Sequence, residues 1–236
     1  MAVTTILFDK DGTLFDFQAT WGGWAVGFLG RLAGGDTALR EALADAVGLD
    51  TGTGEFDPAS VLIAGTPGDA VDALLPFLPD PPPRSALIAR LDAEAAAAPL
   101  AEAVPLVPFL SGLAARGYRL GVVTNDAEAP ARAHLQASGV LDAFDFVAGY
   151  DSGFGAKPGP GQLQAACEYF GCAAGAAVMV GDSLHDLMAG RAAGMRTVGV
   201  LTGLAARAEL SPLADAVLPD IGHLPGWLDG EARGAG

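Results

Sequence analysis

From about residue 100 the chain alternates short apolar runs with amphipathic stretches, and this alternation limits its fold more than any other feature. Leu120–Thr124, Phe144–Val147, Ala177–Val180, Thr197–Val200 and Ala216–Leu218 read as strands. Residues 108–116, 127–138, 162–170 and 183–193 read as helices, with Gly117, Gly139 and Gly194 as closing residues. Such alternation builds a parallel sheet covered by helices on both faces. A sheet of that kind gathers ligands at the C-terminal ends of its strands.

Thr4–Phe8 is β-branched and aromatic, and reads as one more strand of the same sheet. Asp9 and Asp11 follow it, two positions apart. Alternation can point both one way while Lys10 points elsewhere. Gly12 then permits a sharp turn. Two like charges that close repel unless a cation or a shared proton lies between them. The pair therefore suits a divalent metal site, an acid and nucleophile, or, at its plainest, a loop of solvated acids.

Between Phe17 and about Ala98 there is no strand pattern. Trp21, Trp24, Phe28 and Leu32 recur at helical spacing, as do Leu39, Leu43 and Val47, with Asp36 or Thr37 as cap. Asp57–Pro58 opens a third helix, with Pro at its first position. Thr66–Pro67–Gly68–Asp69 resembles a capping box and opens a fourth. Leu87, Ile88, Leu91 and an Ala run make a fifth, ended by Pro99. The aromatic stripe reads as core rather than as a ligand site. This helical block is an insertion between the first strand and the others.

Composition narrows the partners. The 236 residues suffice for one large domain or a domain plus an insertion. A net charge of −15 repels nucleic acid and anionic membranes. No apolar run reaches the ~18 residues of a membrane span, and no basic stretch leads into an apolar one at the N-terminus. A soluble, cytoplasmic protein is expected. Cys167 and Cys172 lack C-x-x-C spacing and a nearby His, which reads as buried free thiols.

Polar residues follow each of the four strands that matter. They are Asp9 and Asp11; Thr124, Asn125 and Asp126; Lys157 in Gly155–Pro160; and Asp182, Ser183 and Asp186. Asn125 is the only Asn, and Lys157 one of two Lys. Each group alone is ordinary, and Asp182 could be a helix cap. Together they place an acid pair, a hydroxyl, a cation and further acids at the ligand-binding edge of one sheet.

Phe8–Asp9–Lys10–Asp11–Gly12–Thr13–Leu14, Val122–Asn125, Lys157–Pro158 and Gly181–Asp186, in this order, resemble the haloacid dehalogenase superfamily, and within it the phosphoglycolate phosphatase-like group. The resemblance covers the whole chain. It implies an α/β fold: a Rossmann-like parallel-sheet core of residues 1–16 and 100–236, with an all-helical cap, 17–99, inserted. It also implies a Mg²⁺-dependent phosphatase that hydrolyses a small phosphomonoester through an aspartyl phosphate. Asp9 would be the nucleophile and Asp11 the general acid and base. Asp9, the backbone carbonyl of Asp11 and Asp182 would hold Mg²⁺, with Asp186 a ligand or just behind. Thr124, Gly12 and the Asn125 backbone would hold phosphate oxygens, and Lys157 would offset the negative charge. The partner implied is a small phosphorylated metabolite, with no nucleic acid or membrane, bound by a monomer or homodimer.

Two departures from the group's pattern bear on substrate. Lys10 replaces an apolar residue, and either faces away from the site or forms a local ion pair. The cap carries only Arg31, Arg40, Arg84 and Arg90, and none falls in Thr51–Gly54, a candidate loop over the site. That speaks against a carboxylated substrate such as phosphoglycolate and leaves sugar phosphates open. Three other readings remain: a sugar-phosphate mutase of the same superfamily, a non-catalytic phosphate-binding protein, and a GDSL-type esterase. The last would use Ser183 as nucleophile and His223 of Asp220–His223 as base.

Overall fold

The computed structural model describes residues 2–57, 59–98 and 100–234. Its strands are β1 (Thr5–Phe8), β2 (Arg119–Val123), β3 (Phe146–Ala148), β4 (Ala177–Gly181), β5 (Arg196–Val200) and β6 (Ala216–Leu218). They form one parallel sheet in the order β3-β2-β1-β4-β5-β6. β1 runs between β2 and β4, with Phe8 level with Val122 and Val180. This register brings the residues that follow all three strands to one edge.

Alternation along the strands divides the apolar side chains between two faces. Ile6, Phe8, Val122 and Val180 pack with Leu110, Leu135 and Leu228. Leu7, Val123 and Met179 pack on the other side with Leu163, Phe170 and Ala189. Parallel sheets require cover on both faces, and their strands are correspondingly apolar throughout. The residues of β1 are fully buried, so truncation of Leu7 to Ala costs about 2–5 kcal/mol.

The helices that cover the sheet are α6 (Leu106–Ala115), α7 (Glu128–Ala137), α8 (Gly161–Phe170), α9 (Leu184–Ala193), α10 (Arg207–Leu210) and α11 (Leu224–Gly234). The stretch between β1 and β2 supplies α1 (Phe17–Leu32), α2 (Thr37–Val47), α3 (Val61–Ala64), α4 (Pro67–Leu74) and α5 (Arg84–Ala95). These five surround a separate apolar cluster that includes Phe28, Leu43, Val71, Leu74 and Leu87. Asp16 and Asp36 cap α1 and α2, and Thr66 and Asp69 form the expected capping box of α4. The chain leaves the sheet and returns to it side by side. The Asp16 N–H donates to the Ala101 carbonyl at 2.8 Å, and the Ala103 N–H to that of Leu14 at 2.9 Å.

Some boundaries differ from the sequence reading. The third helix starts at Val61 rather than at Asp57–Pro58, because the Ser60 hydroxyl caps it by accepting from the Leu62 N–H. Pro58 and Pro99 lie outside the described residues, and α5 ends at Ala95. α6 starts two residues early, at Leu106, whose N–H is taken by the Glu102 carboxylate at 3.0 Å. Pro108 then falls in the first turn, where a missing N–H costs nothing. α11 had no counterpart in the sequence reading. Cys167 and Cys172 are free but half-buried rather than buried, with sulfurs 3.6 Å apart. Among the described residues no helix is long and apolar enough to cross a membrane.

Candidate active site

Four loops meet at the C-terminal edge of the sheet, and a buried charge cluster sits where they meet. Among the described residues Lys157 is the only cation within it, and its Nζ lies 2.6 Å from Asp9 Oδ1, 2.6 Å from Asp186 Oδ1 and 2.9 Å from the Val123 carbonyl. The ammonium donates to Asp9 and to the Val123 carbonyl, and meets Asp186 as an ion pair. The Lys157 backbone is clamped in turn. Its N–H donates to Asn125 Oδ1 at 2.8 Å, and its carbonyl accepts from Asn125 Nδ2 at 3.0 Å. The Lys157–Pro158 peptide is cis. Gln162 ties the same loop to β2 by donating to the carbonyls of Thr124 and Gly155, both at 3.0 Å.

Asp182 follows β4 and lies against Gly12, where a Cβ would run into its carboxylate. Gly12 has φ +75°, the left-handed conformation that favours glycine. Thr13 Oγ1 donates to Asp182 Oδ1 at 3.3 Å. Ser183 caps α9, and Asp186 Oδ2 accepts from its N–H and its hydroxyl. That leaves Asp186 Oδ1 for Lys157. Asp9, Asp182 and Asp186 each offer an oxygen within 4.8 Å of the others, and all three are buried.

Three buried carboxylates against one ammonium leave excess negative charge. Burial raises the Asp9 pKa to about 7, Asp186 and Asp11 add to the rise, and Lys157 opposes it. Burial, Asp186 and Asp9 likewise push Asp182 well above the usual carboxylate range. Burial works against the Lys157 ammonium, but Asp186 and Asp9 outweigh it and hold its pKa above the ordinary value. Hard oxygen donors, crowded and short of positive charge, fit a divalent cation.

Asp11 belongs to a second cluster beneath the first. Lys10 is fully buried and ion-paired to Asp11 Oδ2 at 2.5 Å and Asp126 Oδ2 at 3.0 Å. The side chain therefore does turn away from Asp9, and it does form a local ion pair. Lys10 Nζ also lies 3.2 Å from His134 Nδ1. An ammonium can only donate, so Nδ1 accepts and the ring proton sits on Nε2, which donates to the Ala95 carbonyl at 2.7 Å. Burial and the neighbouring Lys10 lower the His134 pKa, which agrees with a neutral ring. Trp21 of α1 completes the cluster. Its indole N–H donates to Asp11 Oδ1 at 2.8 Å, and its ring lies 5.3 Å from Lys10 Nζ.

A cavity of about 90 Å³ opens above both clusters. Asp9, Asp11, Thr124, Asn125, Lys157 and Asp186 line it from the sheet side. Asp182 stands outside this lining, behind Gly12, but within the carboxylate cluster. Ser183 and His185 also line the cavity, while His223 does not. The Ser183 hydroxyl is engaged with Asp186, and His223 Nδ1 is paired with Asp220 at 3.0 Å. The geometry thus gives no support to a Ser183–His223 couple. Thr51–Gly54 does not line the cavity; Phe56 and residues 61, 62 and 65–67 approach it instead.

Sequence reasoning missed Trp21, His134 and the role of Asp126. Asp126 carried a signal, as the third polar residue after β2. Trp21 was hidden within an apolar stripe, and His134 on α7 carried none.

The chain matches the family model described as "haloacid dehalogenase-like hydrolase" over residues 3–194. Phosphoglycolate phosphatase of Rhodospirillum rubrum is 40% identical over 146 residues, 61% of this chain and 61% of that protein. The pyrophosphatase PpaX of Bacillus velezensis is 38% identical over 91 residues, 39% of this chain and 42% of its own. The chain therefore spans less than two thirds of the length of these curated relatives. The crystal structure of a haloacid dehalogenase-like hydrolase from Bacteroides fragilis superimposes with a TM-score of 0.71 at 20% identity, covering 94% of this chain and 99% of that one. With the family model spanning most of its length, the chain belongs to the haloacid dehalogenase-like hydrolase family.

Proposed function

We propose that this protein is a Mg²⁺-dependent phosphatase of small phosphomonoesters that works through an aspartyl phosphate on Asp9. In this reading residues 1–16 and 100–236 form the catalytic core, and residues 17–99 form a cap that closes over it. The observation that carries the proposal is the convergence of Asp9, Lys157, and Asp182 with Asp186 from three separate segments onto one buried cluster. Asp9, Asp182 and the Asp11 backbone would hold Mg²⁺, with Asp186 alongside. When bound, the ion supplies positive charge to the phosphoryl oxygens and to the carboxylates around them.

The chain's own groups account for the bond changes. An Asp9 oxygen attacks phosphorus while the ester oxygen leaves, and Asp11 gives that oxygen its proton. Asp11, now ionised, takes a proton from a water that attacks the aspartyl phosphate. Inorganic phosphate leaves, and both aspartates return to their starting states. The hydroxyl of Thr124 and the Asn125 backbone orient the phosphate. Lys157, held in place before substrate arrives, lowers the cost of bringing one anion to another. A mutase is less well supported, because the cap side of the cavity offers a second phosphate no cation. A non-catalytic role is disfavoured by the complete set of reacting groups.

The test is turnover of p-nitrophenyl phosphate with Mg²⁺. Asp9→Asn, with unchanged circular dichroism, is expected to lose at least about a thousandfold in kcat. Substantial residual turnover rules out covalent catalysis by Asp9.

A further inference from the structure

We infer that the substrate's non-phosphate body is compact, uncharged and apolar, as in a short branched alkyl phosphate. This deepens the phosphatase reading and rests on it. Phe17, Trp24, Phe56, Leu62, Ala70 and Leu91 face the cavity from the inserted helices. The side-chain polar groups on that side are the Thr66 hydroxyl and the indole N–H groups of Trp21 and Trp24, and all are engaged, with Asp69 at 2.7 Å, Asp11 at 2.8 Å and the Glu94 carbonyl at 3.2 Å.

The cations of the inserted segment are turned elsewhere. Arg31 and Arg90 pair with Glu94, Arg40 with Glu41 and Arg84 with Asp72. Among the described residues, Lys157 and His185 are the basic ones that line the cavity, and both belong to the sheet side. Lys157 is already held by Asp9, Asp186 and the Val123 carbonyl. Asp11 and Asp126 line the same space and repel a second anion. A carboxylate or a run of hydroxyls next to these apolar walls would be buried without partners. A hydrocarbon body gains about fourfold in kcat/KM for each methylene buried.

A cationic body is the competing chemistry, since aromatic rings can cage an ammonium. The rings here are taken up with one another. Trp24 stacks on Phe28 at 5.4 Å and meets Trp21 edge-on at 5.1 Å, while Phe17 packs edge-on against Phe56 at 5.2 Å.

The experiment compares kcat/KM, with Mg²⁺ present, for isobutyl phosphate, phosphoglycolate, a hexose 6-phosphate and phosphocholine. Isobutyl phosphate is expected to exceed phosphoglycolate on the order of 100-fold, and to exceed the other two. Leu62→Arg is expected to raise the ratio of phosphoglycolate to isobutyl phosphate by up to about fivefold, because it supplies the missing countercharge. Should that variant not fold, the four-substrate comparison on the unaltered protein decides alone. Preference for phosphoglycolate or the hexose phosphate overturns the inference, and preference for phosphocholine replaces it with a cation cage. If p-nitrophenyl phosphate is cleaved but isobutyl phosphate is not favoured, only this inference fails. If no ester is cleaved, the phosphatase reading falls with it.

Discussion

Replacing Trp21 with Phe tests how the proton donor is held. Asp11 has two side-chain partners: Lys10 at 2.5 Å and the Trp21 indole at 2.8 Å. Phe keeps an aromatic ring in α1 and deletes the indole bond. A hydrogen bond to a neutral acid contributes about 0.5–1.5 kcal/mol. The bond is short and partly buried, so the upper end applies, and about 1.4 kcal/mol is a factor of ten in rate. That loss should fall only on substrates whose leaving oxygen needs a proton. The assay is kcat/KM, which reports the steps up to release of the leaving group and not the later attack of water. Benzyl phosphate leaves as a poor alkoxide and should lose about tenfold. p-Nitrophenyl phosphate leaves without help and should lose less than about threefold. The two bodies are of similar size, so any lost packing against the ring cancels in the ratio. Equal losses would falsify a positioning role for Trp21 and make it a plain packing residue.

Other perturbations probe the charge clusters. Asp182→Asn is expected to abolish the rise in melting temperature that Mg²⁺ gives the protein, because it removes an anionic oxygen from the carboxylate cluster. A Gly203→Ala variant should also lose the Mg²⁺-induced shift, because its Cβ would run into the Asp182 carboxylate; an unchanged shift defeats that argument. Lys10→Met strips the counter-ion from two acids and should cost about 3–5 kcal/mol in urea unfolding, with a smaller cost showing that Asp11 and Asp126 re-solvate. Asp9 ionises near pH 7 when folded and near 4 when unfolded, so the folded state holds its proton more tightly. The part of the metal-free protein's stability that comes from Asp9 is then fully present below about pH 4 and is lost as the pH rises to 7. Melting curves in chelator should show that fall, and Asp9→Asn should flatten it.

The features that repeat along the chain were legible in the sequence. Short continuous apolar runs and glycine-closed helices marked the strands and the helices between them. The register across β2, β1 and β4 then turned four sequence neighbourhoods into one edge. What escaped reading depends on side chains that reach across elements. Trp21 sits in an apolar stripe and shows its packing face, while its N–H contacts a carboxylate ten residues earlier. His134 meets Lys10 124 residues away, and no local pattern encodes that distance. Lys10 could not be placed because burying an ammonium requires acids from two loops, only one of which adjoins it. α11 was missed because Pro225, Gly226 and Gly230 dilute its helical signal, although Leu224 and Leu228 anchor it in the core.

The paired crossing at Leu14–Asp16 and Ala101–Ala103 has a mechanical consequence. Two stretches of backbone bonded to each other cannot bend independently, so they fix where the five helices join the sheet and hence where Trp21 meets Asp11. Extra length can enter the helical loops without altering that junction, which separates the part of the chain free to diverge from the part that must stay fixed.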